Sequence, residues 1–143
     1  MRRIIESYLR VRYAETDAQG VVYYANFFVW FEVARVGLLR ALGSGFRGLE
    51  SAGVCLAIVE ATCRYLAPAH FDDEITVQAW VDKVGRTSFT LGYAVLNRTT
   101  GQRLAEGSTA QVIVTFDEER RPTEIPPGLR AALLAAGGIE NKA

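Results

Sequence analysis

The stretch from Tyr13 to Phe31, "YAETDAQGVVYYANFFVWF", places one carboxylate, Asp17, in a glycine-containing polar turn directly ahead of a dense aromatic block. A carboxylate there can attack an electrophilic carbonyl or take a proton from a water molecule, and the residues alone leave both roles open. Either route also needs donors for the oxyanion that forms on the carbonyl oxygen. A helix starting just behind the turn would supply them, because its first N–H groups lack intrahelical partners and form the positive end of its dipole. The backbone N–H groups around Tyr23 and Tyr24 occupy that place. Gly20 lets the chain adopt positive φ or pass close to a ligand. The structural alternative for Asp17 is a turn former, a common use of Asp beside Gly. For Tyr24 it is a packed aromatic at a subunit seam, set against a role in lining a ligand pocket. Phe27, Phe28, Trp30 and Phe31 read as core, and Glu32 and Arg35, three apart on a helix, most simply form an ion pair.

A second group of polar residues, Arg86, Thr87 and Ser88, follows the turn at Gly85 and offers a guanidinium and hydroxyls suited to phosphate. Its bland alternative is a hairpin start with one solvated arginine. Arg64 and Arg98 are weaker phosphate candidates. The single histidine, His70, reads as part of an exposed connection and is assigned no catalysis. Cys55 and Cys63 fall in one strand, about 26 Å apart at ~3.3 Å per residue. A disulfide needs Cα atoms within roughly 7 Å, so they do not pair with each other, and a reducing cytoplasm is the expected location. Two such cysteines and one histidine do not make a zinc ligand set, so no metal is expected.

Sixteen basic and sixteen acidic side chains give a formal net charge of zero, which argues against nucleic acid or an anionic membrane as partner. An anionic ligand must then be met by a local cluster. The opening "MRRIIESYLRVRY" lacks the continuous apolar run of a secretory signal, and no segment is long enough to span a bilayer.

The 143 residues suit one domain, 1–143, which can bury roughly 70 % of the surface its unfolded chain would expose. Alternation from Ile5 to Tyr13 predicts a half-buried strand. A helix follows over Phe27–Leu42 with Asn26 as its N-cap, its charges Glu32, Arg35 and Arg40 confined to one half of the wheel. The glycine cluster "GSGFRGLESAG" then returns the chain to extended structure. Strands are predicted over 55–65, 74–84 and 86–96, with hairpins at Gly85 and "NRTTGQ". A last strand runs from Leu104 to Phe116 with a bulge near Ala105 and Gly107, and a short helix over 129–136 closes the chain. One antiparallel sheet curled around one mostly apolar helix buries both apolar surfaces at once. Its remaining edges and second face predict a homodimer.

On these blocks the sequence resembles the hotdog-fold acyl-CoA thioesterases of the 4-hydroxybenzoyl-CoA thioesterase family. The resemblance runs from "VRYAETDAQGVVYYANFFVWFEVAR" through "LAPAHFDDEITV" to "GRTSFTLGY", nearly the whole chain. It implies an α+β fold, a curled five-stranded antiparallel sheet wrapped around one long central helix. It also implies an acyl-CoA substrate, aryl or short to medium in chain length, with no cofactor beyond the coenzyme A of that substrate. Catalytic positions carry over to Asp17 and Tyr24, and substrate contacts to Gly20, Val22, Tyr23, Arg86, Thr87 and Ser88. Dimers with shared active sites, pairing again into homotetramers, are the implied assembly. Many bacterial members carry histidine where this chain has Tyr24, so the resemblance speaks for the reaction more than for the acyl group. A hotdog dehydratase would need a histidine near the central helix, which this chain lacks. A noncatalytic acyl- or aromatic-binding protein is the alternative from another functional class.

Overall fold

The computed structural model describes residues 1–43 and 45–141. In chain order the elements are β1 (Ile5–Arg10), a 3-10 turn (Tyr13–Glu15), α1 (Asn26–Ala41), α2 (Phe46–Ser51), β2 (Val54–Tyr65), β3 (Glu74–Val84), β4 (Ser88–Asn97), β5 (Arg103–Thr115), α3 (Pro127–Ala135) and β6 (Ile139–Glu140). The main sheet runs β1-β3-β4-β5-β2 with every pair antiparallel. A sixth strand, the two-residue β6, adds in parallel to β3 and was not foreseen from the sequence.

Period-two alternation builds the inner face of this sheet. Val77 lies opposite Val95, Ala79 opposite Tyr93 and Val81 opposite Leu91, and all six are shut off from solvent. Onto that face α1 lays Phe27, Trp30, Phe31, Ala34 and Leu38, the spacing of one helical stripe. Phe31 stacks on Tyr93 with ring centroids 4.4 Å apart and planes 11° from parallel. The contact requires Gly107 beneath it, since a Cβ there would stand 2.7 Å from the Phe31 ring and 2.2 Å from the Thr62 carbonyl.

Several boundaries differ from the sequence-based expectation. β1 stops at Arg10 rather than Tyr13, because Val11 is buried and the 3-10 turn then leads the chain off the sheet edge. The glycine-rich connection carries the short helix α2 instead of running straight to a strand. The β5 bulge is at Leu104: Val95 faces Ala105 while Leu96 faces Arg103. Gly107 stays in register with both Tyr93 and Cys63 and serves helix approach instead. The terminal helix begins at Pro127, a residue suited to the first helical position.

The expected Glu32–Arg35 ion pair does not form. Arg35 is turned inward and only 8 % exposed, Glu32 is exposed, and neither makes an ion pair among the described residues. The guanidinium instead lies near the buried Tyr93 hydroxyl, which bonds Thr109 Oγ1 at 2.7 Å. Burial pushes the Tyr93 pKa up, against a smaller downward pull from the Thr109 bond and the Arg35 charge.

Candidate active site

The site forms where the chain leaves β1 and enters α1. Thr16 and Val22 make an antiparallel bridge that closes a tight loop around Asp17. Inside it the Asp17 N–H donates to the Val21 carbonyl at 2.9 Å, and the Gly20 N–H to the Asp17 carbonyl at 3.0 Å. Asp17 Oδ1 accepts the Gln19 N–H at 2.8 Å, the side-chain turn for which aspartate is suited, while Asp17 itself stays half-buried. Gly20 adopts φ +83°, so the conformational freedom expected of it is in use.

Glu15, which the sequence did not mark as special, holds this loop against the helix. The residue is 5 % exposed, and its carboxylate accepts on both oxygens, from the Arg12 N–H at 2.8 Å and from the Trp30 indole N–H at 2.9 Å. Its carbonyl accepts the Tyr23 N–H at 2.8 Å and the Asn26 side-chain amide at 2.9 Å. Asn26 therefore does not cap α1 as predicted. It is the first helical residue, and its amide reaches back to the loop.

These bonds also correct the expected oxyanion donors. The Tyr23 N–H is committed to Glu15, whereas the N–H groups of Tyr24 and Ala25 have no acceptor among the described residues. Asn26, Phe27 and Phe28 donate to the carbonyls of Tyr23, Tyr24 and Ala25, so the free amides stand at the mouth of the helix.

Beside that mouth is a cavity of about 330 Å³ lined by Val21, Val22, Tyr24, Phe27, Tyr65, Leu66, Ala67 and Pro68. Val22 and Tyr24, two of the residues singled out in the sequence, are both in its lining. Phe27 is both core and wall. The far wall comes from the segment after β2, docked by the Val22 N–H on the Ala69 carbonyl at 2.8 Å and by the Tyr65 hydroxyl on the Tyr24 carbonyl at 2.8 Å. Alternation had marked Tyr65 only as a strand residue, and nothing local in the sequence pointed to residues 65–68 as a wall. His70 follows in the same segment, exposed, its N–H on Asp73 Oδ2 at 2.9 Å.

The charge of Asp17 reaches one residue of the aromatic rim. The Tyr23 pKa is raised, chiefly by its hydrogen bond to Tyr24 and in smaller part by the negative charge of Asp17. Tyr65 is raised more strongly, by partial burial first and then by its bond with Cys63.

Arg86, Thr87 and Ser88 are not brought to Asp17 within one chain. They follow the distal end of β3, whose opposite end at Glu74 pairs with Arg10 close to the Asp17 loop, a separation of roughly 30 Å at ~3.3 Å per residue. Arg86 is exposed there and pairs with Glu124 at 3.4 Å.

Comparison with known proteins gives the family of the chain. Residues 11–133 match the family model of the Thioesterase-like superfamily, a span holding the loop, α1 and all of the long strands β2 to β5. The chain belongs to the thioesterase-like superfamily. Among relatives, the acyl-CoA thioester hydrolase YbgC of Escherichia coli is 33 % identical over 123 residues, 86 % of this chain and 90 % of that one. YneP of Bacillus subtilis is 36 % identical over 89 residues, 62 % of this chain and 64 % of its own length, so this chain spans just under two thirds of that relative. A crystal structure of a DHNA-CoA thioesterase from Staphylococcus aureus superposes with a TM-score of 0.86 at 27 % identity, covering 92 % of this chain and 89 % of that one. This thioesterase-like chain thus has the hotdog architecture expected of it, the curled sheet around a central helix. Among its described residues no helix is long and apolar enough to cross a membrane.

Proposed function

We propose that this protein hydrolyses an acyl-CoA thioester to the free acid and coenzyme A. The observation that carries the reading is the meeting of three features at one helix entrance. They are the Asp17 carboxylate in a tight loop, the unpaired amides of Tyr24 and Ala25, and an aromatic-walled cavity. A cavity of about 330 Å³ is at the small end for ligand sites, which favours an aryl or short to medium acyl group over a long chain. The names of the Escherichia coli and Staphylococcus aureus relatives favour coenzyme A as the carrier.

In this reading the thioester carbonyl oxygen takes hydrogen bonds from the Tyr24 N–H and its neighbour. Asp17 either adds to the carbonyl carbon or removes a proton from the water that does. The tetrahedral species then breaks its C–S bond and the sulfur leaves as a thiolate that takes up a proton. On the water route this gives the free acid at once; on the direct route it leaves a mixed anhydride with Asp17, which a water molecule cleaves to free the acid and restore the carboxylate. Tyr24 lines the acyl pocket, with Gly20, Val22 and Tyr23 shaping its entrance. The coenzyme is itself part of the substrate, and no separate cofactor enters this scheme.

The same reading has the chain working as a homodimer in the cytoplasm. β2 is a twelve-residue edge strand with Ile58 and Val59 exposed, open to a second copy. Antiparallel pairing of two β2 strands sets Tyr65 of one copy near Val54 of the other. Ser88 is level with Val112, and Val112 with Ala57, so that pairing carries the Arg86–Ser88 turn of the second copy toward the first copy's cavity. Arg86, Thr87 and Ser88 then meet coenzyme A phosphates across the interface, and Arg86→Ala is expected to raise KM with little change in kcat. The outward α1 stripe at Val29 and Val33 gives two such dimers a surface for pairing into a homotetramer.

The deciding experiment measures thiol release from a panel of aryl, short-chain and long-chain acyl-CoAs by the native protein and by Asp17→Asn. Release by the native protein, reduced about a hundredfold or more in the variant, is the expected result. Binding without release across the whole panel would make this a noncatalytic ligand-binding protein.

A further inference from the structure

We infer that Glu15 is a positioning residue of the proposed hydrolytic site, setting where Asp17 stands relative to the free Tyr24 amide. The inference rests on the thioesterase reading and deepens it.

Glu15 is two residues before Asp17 in the chain, and its carbonyl holds the N–H of Tyr23, the residue before Tyr24. One residue therefore fixes both partners of the reaction. Moving its backbone moves the carboxylate loop and the helix entrance together or pulls them apart. What pins that backbone is the side chain. The Trp30 indole, 1 % exposed and one turn into α1, donates to one carboxylate oxygen, and the Arg12 N–H donates to the other. The Arg12 guanidinium adds a looser contact, its Nε 3.6 Å from the oxygen that accepts the Arg12 N–H.

The chemistry of this arrangement asks for a carboxylate rather than any polar group of similar shape. Both oxygens face N–H donors, so an amide at this position would turn its own NH₂ toward one of them. A buried group left facing a like donor moves away or leaves the donor unsatisfied. Either response loosens the link between the loop and α1. Catalysis by positioned groups is sensitive to displacements of about 1 Å, so such loosening is read first in turnover.

The test compares Glu15→Gln, Glu15→Asp and Asn26→Ala with the native protein, using the best substrate from the acyl-CoA panel, alongside Asp17→Asn. Glu15→Gln is expected to lower kcat by about tenfold to a hundredfold with KM within about twofold, while the variant stays folded by circular dichroism. Asn26→Ala, which removes only the second bond to the Glu15 carbonyl, is expected to lower kcat by a few-fold in the same pattern. Glu15→Asp, which keeps the charge, is expected to recover part of the loss. A folded Glu15→Gln with native kcat, while Asp17→Asn is inactive, overturns the inference and leaves the thioesterase reading standing. Should Glu15→Gln fail to fold, native kcat in Asn26→Ala together with native kcat in Glu15→Asp overturns it equally. Absence of turnover from the native protein overturns the underlying reading itself.

Discussion

Tyr65, at the end of β2, donates its hydroxyl hydrogen to the Tyr24 carbonyl at 2.8 Å and so ties the sheet edge to the entrance of α1. The peptide held in this way is the one that carries the Ala25 N–H, so the bond fixes the direction of a candidate oxyanion donor. Tyr65→Phe keeps the edge-on ring contacts with Phe27 at 5.2 Å and Tyr24 at 6.2 Å and removes only the donor. The expected cost in stability is about 0.5 kcal/mol, the low end for a hydrogen bond because Tyr65 is partly exposed. The expected effect on kcat is a several-fold loss, and a variant with native kcat would remove Ala25 from the oxyanion site.

The same tyrosine gives a pH dependence with a definite sign. Partial burial, then its contact with Cys63, raises the Tyr65 pKa well above the usual tyrosine value. In the folded protein the hydroxyl therefore stays protonated, still donating to Tyr24, at pH values where an unfolded chain has already lost that proton. Its contribution to stability is full below the ordinary tyrosine pKa and declines as pH rises from there toward the raised value. Ultraviolet difference titration of native protein against Tyr65→Phe should show one fewer tyrosine ionising late. Equal titration curves would show that Tyr65 is not held back.

Gly107 and Gly20 are needed for different reasons, and alanine separates them. At Gly107 the added methyl collides with the Thr62 carbonyl and the Phe31 ring, and the backbone atom cannot swing away. Gly107→Ala should cost at least 1–3 kcal/mol in urea unfolding, the range for overpacking, because α1 must lift from the sheet.

At Gly20 the space is open, but φ is +83°. Gly20→Ala should cost about 1–2 kcal/mol through backbone strain alone. Relief of that strain would reshape the loop carrying Asp17, so kcat should fall more than the loss of stability explains. A drop in stability with unchanged kcat would uncouple the loop from the reaction.

How far the sequence reached depends on the range of the interaction involved. Alternation placed β3 and β4 within a residue or two, because each strand's own residues decide which face is buried. The Asp17 loop was legible for the same reason: its turn is closed by bonds among residues 16–22. What escaped was set by contacts between distant segments. Glu15 is defined by Trp30, and Tyr65 by Tyr24, 41 positions apart. Glu32 and Arg35 had the right spacing to pair, yet Arg35 turned under the helix toward Tyr93, a choice made by the sheet and invisible in the helix.

The inward turn of Arg35 also takes its charge out of water. Its Nε is buried with no hydrogen-bond partner, and no carboxylate pairs with it among the described residues. Gly37 marks the α1 flank facing β1, where a Cβ would stand 2.7 Å from Ser7 Oγ, and Arg35 is about 160° around the helix from it. Arg35 thus faces the other side, toward the strands that end in the open edge of β2. Replacing a buried cation by an apolar side chain of similar volume relieves the cost of keeping that charge out of water, and methionine keeps most of the aliphatic volume. Arg35→Met is therefore expected to unfold at equal or higher urea concentration than the native protein. The measurement belongs on a dilution series: a loss of stability in the variant that depends on protein concentration would place the neutralising carboxylate on a second copy of the chain.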